Sequence, residues 1–266
     1  MQTIAQLFDL TGKGAIVTGG AMGIGQAISC RLAEAGASVM ITDIDLEAAS
    51  QTVEQIKARG GKAQAIRADA RSKADARKVV QTTVEAFGRL DILVNNAGIY
   101  PMSPVLEASE ELWDKVLDTN LKGAFFYSQA AAQEMIKAGH GGKIINIASI
   151  DALHPYGATA HYAASKAGVV MLTKALALEL GLHEILVNAV APGGIMTPGT
   201  VATRRAISLA TGMNDEQIIQ SFTERLPLRR MGQPDDVAKV VLFLASAAAD
   251  YMTGSLVLVD GGFLLS

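Results

Sequence analysis

Seven short runs of this chain are apolar along most of their length instead of on alternate positions: GAIVTGG (14–20), SVMITDI (38–44), AQAIRAD (63–69), DILVNNAG (91–98), KIINIAS (143–149), ILVNAVAPG (185–193) and SLVLVDGG (255–262). A strand that is solvated on one face alternates, so runs like these belong to strands covered on both faces. Between them apolar residues recur every three to four positions, for instance over 24–35, 74–87 and 162–180, which is the helical period. The pattern predicts an α/β fold: a single doubly wound (Rossmann-type) parallel sheet of about seven strands, flanked by helices on both faces. The 266 residues suit one domain spanning 1–266. The stretch 194–230 breaks the alternation, and we expect it to be a substrate-covering segment, with an ordinary surface excursion as the alternative.

Charge and cysteine usage remove whole classes of function. The formal net charge is −3 and the basic residues are scattered, so no positive face offers itself to a phosphate backbone and no nucleic-acid partner is expected. Cys30 is the only cysteine and lies in an apolar helical pattern, where a core thiol is expected, with no disulfide and no metal centre. The opening MQTIAQLFDLTGKG lacks the basic start and apolar core of a signal peptide, and no uninterrupted stretch of about 18 apolar residues exists, so no membrane partner and a cytoplasmic location are expected.

Sheets of this kind bind ligands beyond the carboxyl ends of their strands. The first run leads into Thr18-Gly19-Gly20-Ala21-Met22-Gly23-Ile24-Gly25, and a helical period follows. Such a turn lets backbone approach a pyrophosphate at a helix N-terminus, where free N–H groups and the dipole favour anions. Gly19, Met22, Gly23, Ile24 and Gly25 are therefore expected to hold a dinucleotide; a turn serving backbone needs alone is the other reading. Asp43 ends the second run 18 residues after Gly25, close to the offset at which a carboxylate meets the adenosine ribose. Such a carboxylate accepts from two ribose hydroxyls and repels a 2′-phosphate. Ala21, Met22 and Ile44 supply no cation beside it, so NAD is expected over NADP, with Ile44 a further cofactor contact. A helix N-cap is the alternative for Asp43, although Asp45 serves that purpose as well. Asp69, with Ala70 after it, ends the third run; its carboxylate is either an acceptor for the adenine amino group or a capping group ahead of Ser72. Asn96, Ala97 and Gly98 end the fourth run in a small-residue turn against which a ligand can lie.

Ser149 ends the fifth run, and thirteen residues later Tyr162-Ala163-Ala164-Ser165-Lys166 enters a helix. Residues i and i+4 share a helix face, so Tyr162 and Lys166 point the same way. A free phenol titrates near pH 10; lowering it by about three units takes roughly 4 kcal/mol of preferential stabilisation of the phenolate. A fixed ammonium and an oxidised nicotinamide ring can supply that. Tyr162 would then take the proton of an alcohol as hydride leaves the same carbon, with Ser149 donating to the oxygen, and each role reverses in reduction.

Taken together and in order, the glycine segment 18–25, Asn95 to Gly98, Ser149, the Tyr162 to Lys166 motif, Pro192-Gly193 and the terminal Asp260-Gly261-Gly262 resemble the short-chain dehydrogenases/reductases over essentially the whole chain. The resemblance implies that Asn120, in LDTNLKG, is a fourth catalytic residue whose main chain holds a water linking Lys166 to solvent. It implies that Lys166 bonds the nicotinamide ribose, that Pro192 and Gly193 line the cofactor, and that Ile195 and Thr197 contact its carboxamide. It also implies a homotetramer, with Val116 and the helices around Ala130 and Leu172 as subunit contacts.

Some residues depart from the family pattern. Ala148 precedes Ser149, Leu186 stands where a basic residue is common, and Asp151 and His154 replace small apolar residues after Ser149. Asp151 and His154 are candidate substrate contacts beside Ser149 and Tyr162, with a solvated loop as the alternative. His161 is open between roles, and Trp113, in ELWDKV, reads as a packing residue. The small-molecule substrate expected is a secondary alcohol or ketone. Alternatives are an NADPH-dependent 3-oxoacyl thioester reductase, for which no basic residue stands near 21 or 44, and a catalytically silent NAD-binding regulator, from which intact Tyr162 and Lys166 argue away.

Overall fold

Each of the seven apolar runs contains a strand: β1 (Gly14–Thr18), β2 (Ser38–Asp43), β3 (Lys62–Arg67), β4 (Ile92–Asn95), β5 (Gly142–Ile147), β6 (Ile185–Pro192) and β7 (Leu256–Val259). This is a computed structural model that describes residues 1–266, the side chains of Ala202, Ala206 and Ala210 excepted. All seven strands join one sheet in the order β3-β2-β1-β4-β5-β6-β7, and every pairing is parallel. The strands end before their polar exits, because the glycines, Asn and Ser that close each run leave the ladder to form the loops at its carboxyl edge. Whole-length burial holds for β1 and β4 in the middle, whereas the edge strands β3 and β7 are only partly covered.

Ten helices connect and cover the strands: α1 (Ile4–Leu7), α2 (Gly23–Glu34), α3 (Leu46–Ala58), α4 (Lys73–Phe87), α5 (Glu110–Leu117), α6 (Gly123–Ala138), α7 (Ala160–Leu180), α8 (Pro198–Thr211), α9 (Asp215–Thr223) and α10 (Pro234–Ala245). Successive strand side chains point to opposite faces, and the two cores follow from that. Ala15 and Val17 of β1 pack with Ile28 and Leu32 of α2, Val53 of α3 and Val241 of α10. Ile16, between them, packs with Val79 of α4, Tyr127 and Met135 of α6 and Ala177 of α7. Local signals fix the helix starts: the side chains of Asp45, Ser72, Ser109 and Thr197 accept from Ala48, Asp75, Leu112 and Thr200 N–H groups, and Pro198 stands in the first turn of α8. Cys30 packs against the first core, and its burial pushes the thiol pKa up, as a structural thiol requires.

The stretch 194–230 is a pair of helices, α8 and α9, and not an extended excursion. Mostly buried Arg204 joins them, its guanidinium bonding Asp215 of α9 at 2.5 Å and Thr200 at 3.3 Å. A bridge between Ile195 and Gly232 clamps the base of the pair, with Met196 N–H donating to the Gly232 carbonyl at 2.9 Å. Among the described residues no helix is long and apolar enough to cross a membrane.

Candidate active site

The strand order reverses between β1 and β4, and that switch point opens a crevice at the carboxyl edge. Two polar side chains sew its walls together. The Asn96 amide donates to the carbonyls of Thr18 (3.0 Å) and Gly19 (2.8 Å), and the Thr18 hydroxyl accepts from the Asn96 and Ala97 N–H groups. Gly19 has φ +61°, and a Cβ on Gly25 would overlap the Gly19 carbonyl, so the turn closes only with hydrogen at both positions. Met22 precedes α2 in extended conformation and offers no side-chain cap, which leaves the N–H groups of the first turn to an incoming anion. Residues 19–25 therefore form a cradle that fits a pyrophosphate. Thr197, first in line before α8, faces Gly23 across this cradle, while Ile195, two residues earlier, is buried beside Gly232.

Asp43 sits at the end of β2, where its carboxylate accepts from Ala21 N–H at 3.2 Å and from Asp45 N–H at 3.1 Å. The cap of α3 is Asp45, so the capping alternative for Asp43 falls away. Two further acceptor positions of Asp43 remain for a ribose. Asp69 is differently placed. Arg71 grips its carboxylate at 2.6 and 3.0 Å, which holds the pKa below the usual range, and Ser72 itself caps α4. The capping alternative therefore fails for Asp69 too. Any adenine contact it makes competes with a charged fork two residues away. Ala70 packs against Gly123 at the start of α6.

The third wall brings together the remaining sequence-predicted residues. Ser149 leaves β5 and Tyr162 and Lys166 lie in α7, with the Lys166 ammonium 5.7 Å from the Tyr162 ring centroid. Lys166 is buried and donates to the Ile147 carbonyl at 2.8 Å. Burial pushes its pKa down to about 8, with Asp151 pulling the other way, so it is still mostly a cation at neutral pH. Burial pushes the Tyr162 phenol well above its ordinary value; the nearby Ser149 hydroxyl pulls down, while Asp151 and Tyr100 push up. Protein groups by themselves thus leave Tyr162 a neutral acid, and a base at neutral pH needs the additional positive charge of an oxidised nicotinamide. Gly98 approaches both Asn120 and Lys166, which places the β4 exit against the same group.

Asn120 falls in a five-residue π-helical turn, Asp118–Lys122, wedged between α5 and α6. Such turns interrupt the regular helical ladder and are common at functional sites. The buried side chain accepts from Ile99 N–H (2.8 Å) and donates to the Ile99 carbonyl (2.9 Å) and the Ser165 hydroxyl (3.0 Å). It pins the segment after β4 to α7 beside Tyr162. His161 secures the next step, its Nε2 bonding the Pro101 carbonyl at 2.8 Å; as a carbonyl only accepts, Nε2 carries the donated proton.

Several side chains in these walls carry no sequence motif. Tyr100 meets Tyr162 edge-on, ring centroids 6.0 Å apart, and its hydroxyl reaches Gly199 of α8. Phe263 gathers three rings from two segments: Phe222 stacks on it at 5.4 Å, Tyr156 lies at 5.6 Å and His154 at 6.2 Å, with the Arg225 guanidinium 5.1 Å above. Phe263 also packs on Ile150, next to Ser149. Their only available signal was aromaticity near a strand exit or near the end of the sequence. Below the site, Asn95 donates to Asn146 (2.8 Å) and Asn146 to Thr173 (2.8 Å), a buried chain tying β4, β5 and α7 into one frame. Pro192 and Gly193 close β6, with Gly193 backed by Asp260.

Two outer positions differ from expectation. Val116 is fully buried inside this chain and Ala130 nearly so, hence neither side chain is surface for a subunit contact; Phe125 and Ile136 of α6 and Met171 and Leu178 of α7 are exposed large apolar residues. Trp113 packs on one side only and is 41% exposed.

A family model described as enoyl-(acyl carrier protein) reductase matches residues 19–264. The chain is 40% identical over 261 residues to the 2-dehydro-3-deoxy-D-gluconate 5-dehydrogenase of Escherichia coli, covering 98% of this chain and 99% of that one. Among solved structures it is similar to a short-chain type dehydrogenase/reductase from Mycobacterium marinum, with TM-score 0.90 and 37% identity over 99% of this chain and 100% of the other. A protein of Agrobacterium tumefaciens solved with bound NADP superimposes with TM-score 0.88 and 40% identity, covering 98% and 99% of the two chains.

Proposed function

The chain belongs to the short-chain dehydrogenase/reductase family, oxidoreductases that move a hydride between a nicotinamide cofactor and an alcohol or ketone, and from that premise we propose roles for its own residues. The observation that carries the reading is the convergence of Ser149, Tyr162 and Lys166, with the ammonium 5.7 Å from the phenol ring and the Ser149 hydroxyl near enough to pull the phenol pKa down. A nicotinamide cofactor held in the cradle would supply the hydride acceptor for the carbinol carbon, or the hydride donor in reduction. Tyr162 accepts the carbinol proton as phenolate, and Ser149 donates to the carbinol oxygen. Lys166 stabilises the phenolate and bonds the nicotinamide ribose. Asn120, in the turn that interrupts the helical ladder, would hold the water through which the proton leaves. These four are the catalytic residues of the reading.

The cradle at 19–25, with Asn96, Ala97, Gly98, Pro192, Gly193, Ile195 and Thr197, is assigned to the cofactor. Asp43 supports NAD: a carboxylate stands where a 2′-phosphate would come, and neither Met22 nor Ile44 beside it is cationic. Asp151 and His154 line the substrate side, under α8 and α9 as cover, within one domain. The exposed apolar residues Phe125, Met171 and Leu178 support a homotetramer, and the unpaired thiol Cys30 suits the cytoplasm. A panel of secondary alcohols and ketones, followed by nicotinamide absorbance with NAD and NADP and repeated with Tyr162→Phe, tests the reading. Turnover that prefers NAD and falls at least about a hundredfold in the variant, with NADH affinity nearly unchanged, is expected. Wild-type rates in Tyr162→Phe would refute the assignment.

A further inference from the structure

Asp151 stands two residues beyond Ser149, half-buried, and its carboxylate is poorly provided with donors. A charge-assisted O–H···O⁻ bond spans about 2.5–2.7 Å. Asp151 has only the Ser149 hydroxyl at 3.4 Å and the Thr159 hydroxyl at 3.5 Å. Neither contact is a strong one. Thr159 donates to the Tyr156 carbonyl at 2.7 Å, a far better bond. The Ser149 hydroxyl reaches the carboxylate only at that long distance, and its lone pair receives the Asp151 N–H at 3.1 Å. That last bond holds the loop so that carboxylate and Ser149 hydroxyl lie on the same side.

Among the described residues, then, a carboxylate facing the reacting centre keeps nearly all its acceptor capacity. A partly buried carboxylate gains from a donor that replaces the water it has lost. Burial raises the Asp151 pKa despite the neighbouring hydroxyls, His154 and Lys166, which agrees with an under-satisfied group. What completes it must donate hydrogen bonds while another oxygen of the same molecule touches Ser149 and Tyr162.

We infer that Asp151 accepts a hydrogen bond from a hydroxyl on the carbon next to the reacting carbinol, so that the site selects vicinal diols and α-hydroxy ketones over simple secondary alcohols. The inference rests on the hydride-transfer reading above and adds the substrate class to it. The spacing is chemically sensible, since neighbouring hydroxyls of a diol are separated by about the span between the Ser149 and Asp151 oxygens. An oxidised partner, the α-hydroxy ketone, keeps the donating hydroxyl, so Asp151 serves in both directions. A substrate with no second hydroxyl leaves the carboxylate unpaired and is penalised for it.

The test compares matched pairs, butane-2,3-diol against butan-2-ol and cyclohexane-1,2-diol against cyclohexanol, in the wild-type enzyme and in Asp151→Ala and Asp151→Asn. The ratio of kcat/KM for diol over mono-ol is expected to be at least tenfold in the wild type. It should collapse towards one in Asp151→Ala and fall partway in Asp151→Asn, which keeps shape and one acceptor oxygen but loses the charge. Most of the change should lie in KM for the diol. A wild-type ratio near one, a ratio that survives both substitutions, or an equal loss on diol and mono-ol overturns the inference, the last because it reports a displaced Ser149. If wild-type enzyme that binds NADH turns over neither class, the hydride-transfer reading fails with it. If it turns over both equally, that reading stands and only the role of Asp151 is lost.

Discussion

Replacing Asn120 by Ala removes the pin that holds the β4 exit to α7. Three hydrogen bonds vanish, to Ile99 N–H, the Ile99 carbonyl and the Ser165 hydroxyl, at 2.8, 2.9 and 3.0 Å. Ser165 retains a partner, because it donates to the Tyr162 carbonyl at 2.7 Å. Ile99 loses both. At about 0.5–1.5 kcal/mol per bond the loss comes to roughly 3 kcal/mol, spread from about 1.5 to 4.5. For a chain of this size that lowers Tm by about 6–12 °C, at roughly 2–4 °C per kcal/mol. Trp113 is the only tryptophan and lies in α5, directly before the π-helical turn, so its fluorescence reports the affected region during urea unfolding at fixed protein concentration. An unchanged m-value with a shifted midpoint is expected. A loss below about 1 kcal/mol would show that the side chain is not the pin, and the direction of the bonds has its own control. Asn120→Asp keeps the acceptor for Ile99 N–H but turns an acceptor towards the Ile99 carbonyl, so it should be at least as unstable as the Ala variant. An Asp variant as stable as wild type refutes the donor and acceptor assignment.

Three further outcomes are expected. Asp43→Ala should narrow the preference for NAD over NADP in kcat/KM, and an unchanged ratio counts against the ribose contact. Asn146→Ala should lower stability by about 2–4 kcal/mol, because it strands one donor of Asn95, whose other bond to Ser128 remains, and an acceptor of Thr173 in the core; thermal unfolding within 2 °C of wild type would dismiss that frame. Arg89, Gly14 N–H and Lys13 hold the buried Asp91 carboxylate below its ordinary pKa. Its stabilising contribution is therefore full above the unfolded value of about 3.9 and fades as pH falls through the native one. The stability difference between wild type and Asp91→Asn should accordingly be large at pH 7 and shrink as pH falls below the unfolded value of about 3.9, and a difference independent of pH speaks against the ion pair as its source.

The parts of this molecule legible in its sequence are those governed by local pattern. Whole-length apolarity located β1, β2, β4, β5 and β6, since a strand covered on both faces leaves no room for alternation. The glycine turn, Asp43 at a strand exit and the i, i+4 pair Tyr162 and Lys166 depend on short spacings, and the fold brings them to one crevice. The helices α8 and α9 were also within reach, as Thr197-Pro198 and Asn214 are start signals, but the glycines and threonines between them masked the period. Side chains placed by distant segments were not legible. Tyr100 faces Tyr162 across 62 positions of sequence, and Phe263 meets Phe222, Tyr156 and His154 only once the last strand has been laid down. Apolar faces cannot say by themselves which chain covers them, which is why Val116 turned out to be sealed within its own fold. Asp69 was read without Arg71, whose charge two positions on governs its carboxylate.

The bond between the Asp43 carboxylate and Ala21 N–H gives one side chain two employers. The same oxygens that would greet a ribose also brace the glycine turn against the end of β2. Retargeting such an enzyme to a phosphorylated cofactor is therefore more than a change of sign at one position. A cation put in place of Asp43 leaves Ala21 without its acceptor just where the turn must stay rigid. Successful redesign has to install a neutral acceptor, such as Ser or Asn, at 43 and bring the positive charge from 44 or 22. A single swap to Arg should widen the tolerance for a 2′-phosphate while loosening the grip on the pyrophosphate that both cofactors share.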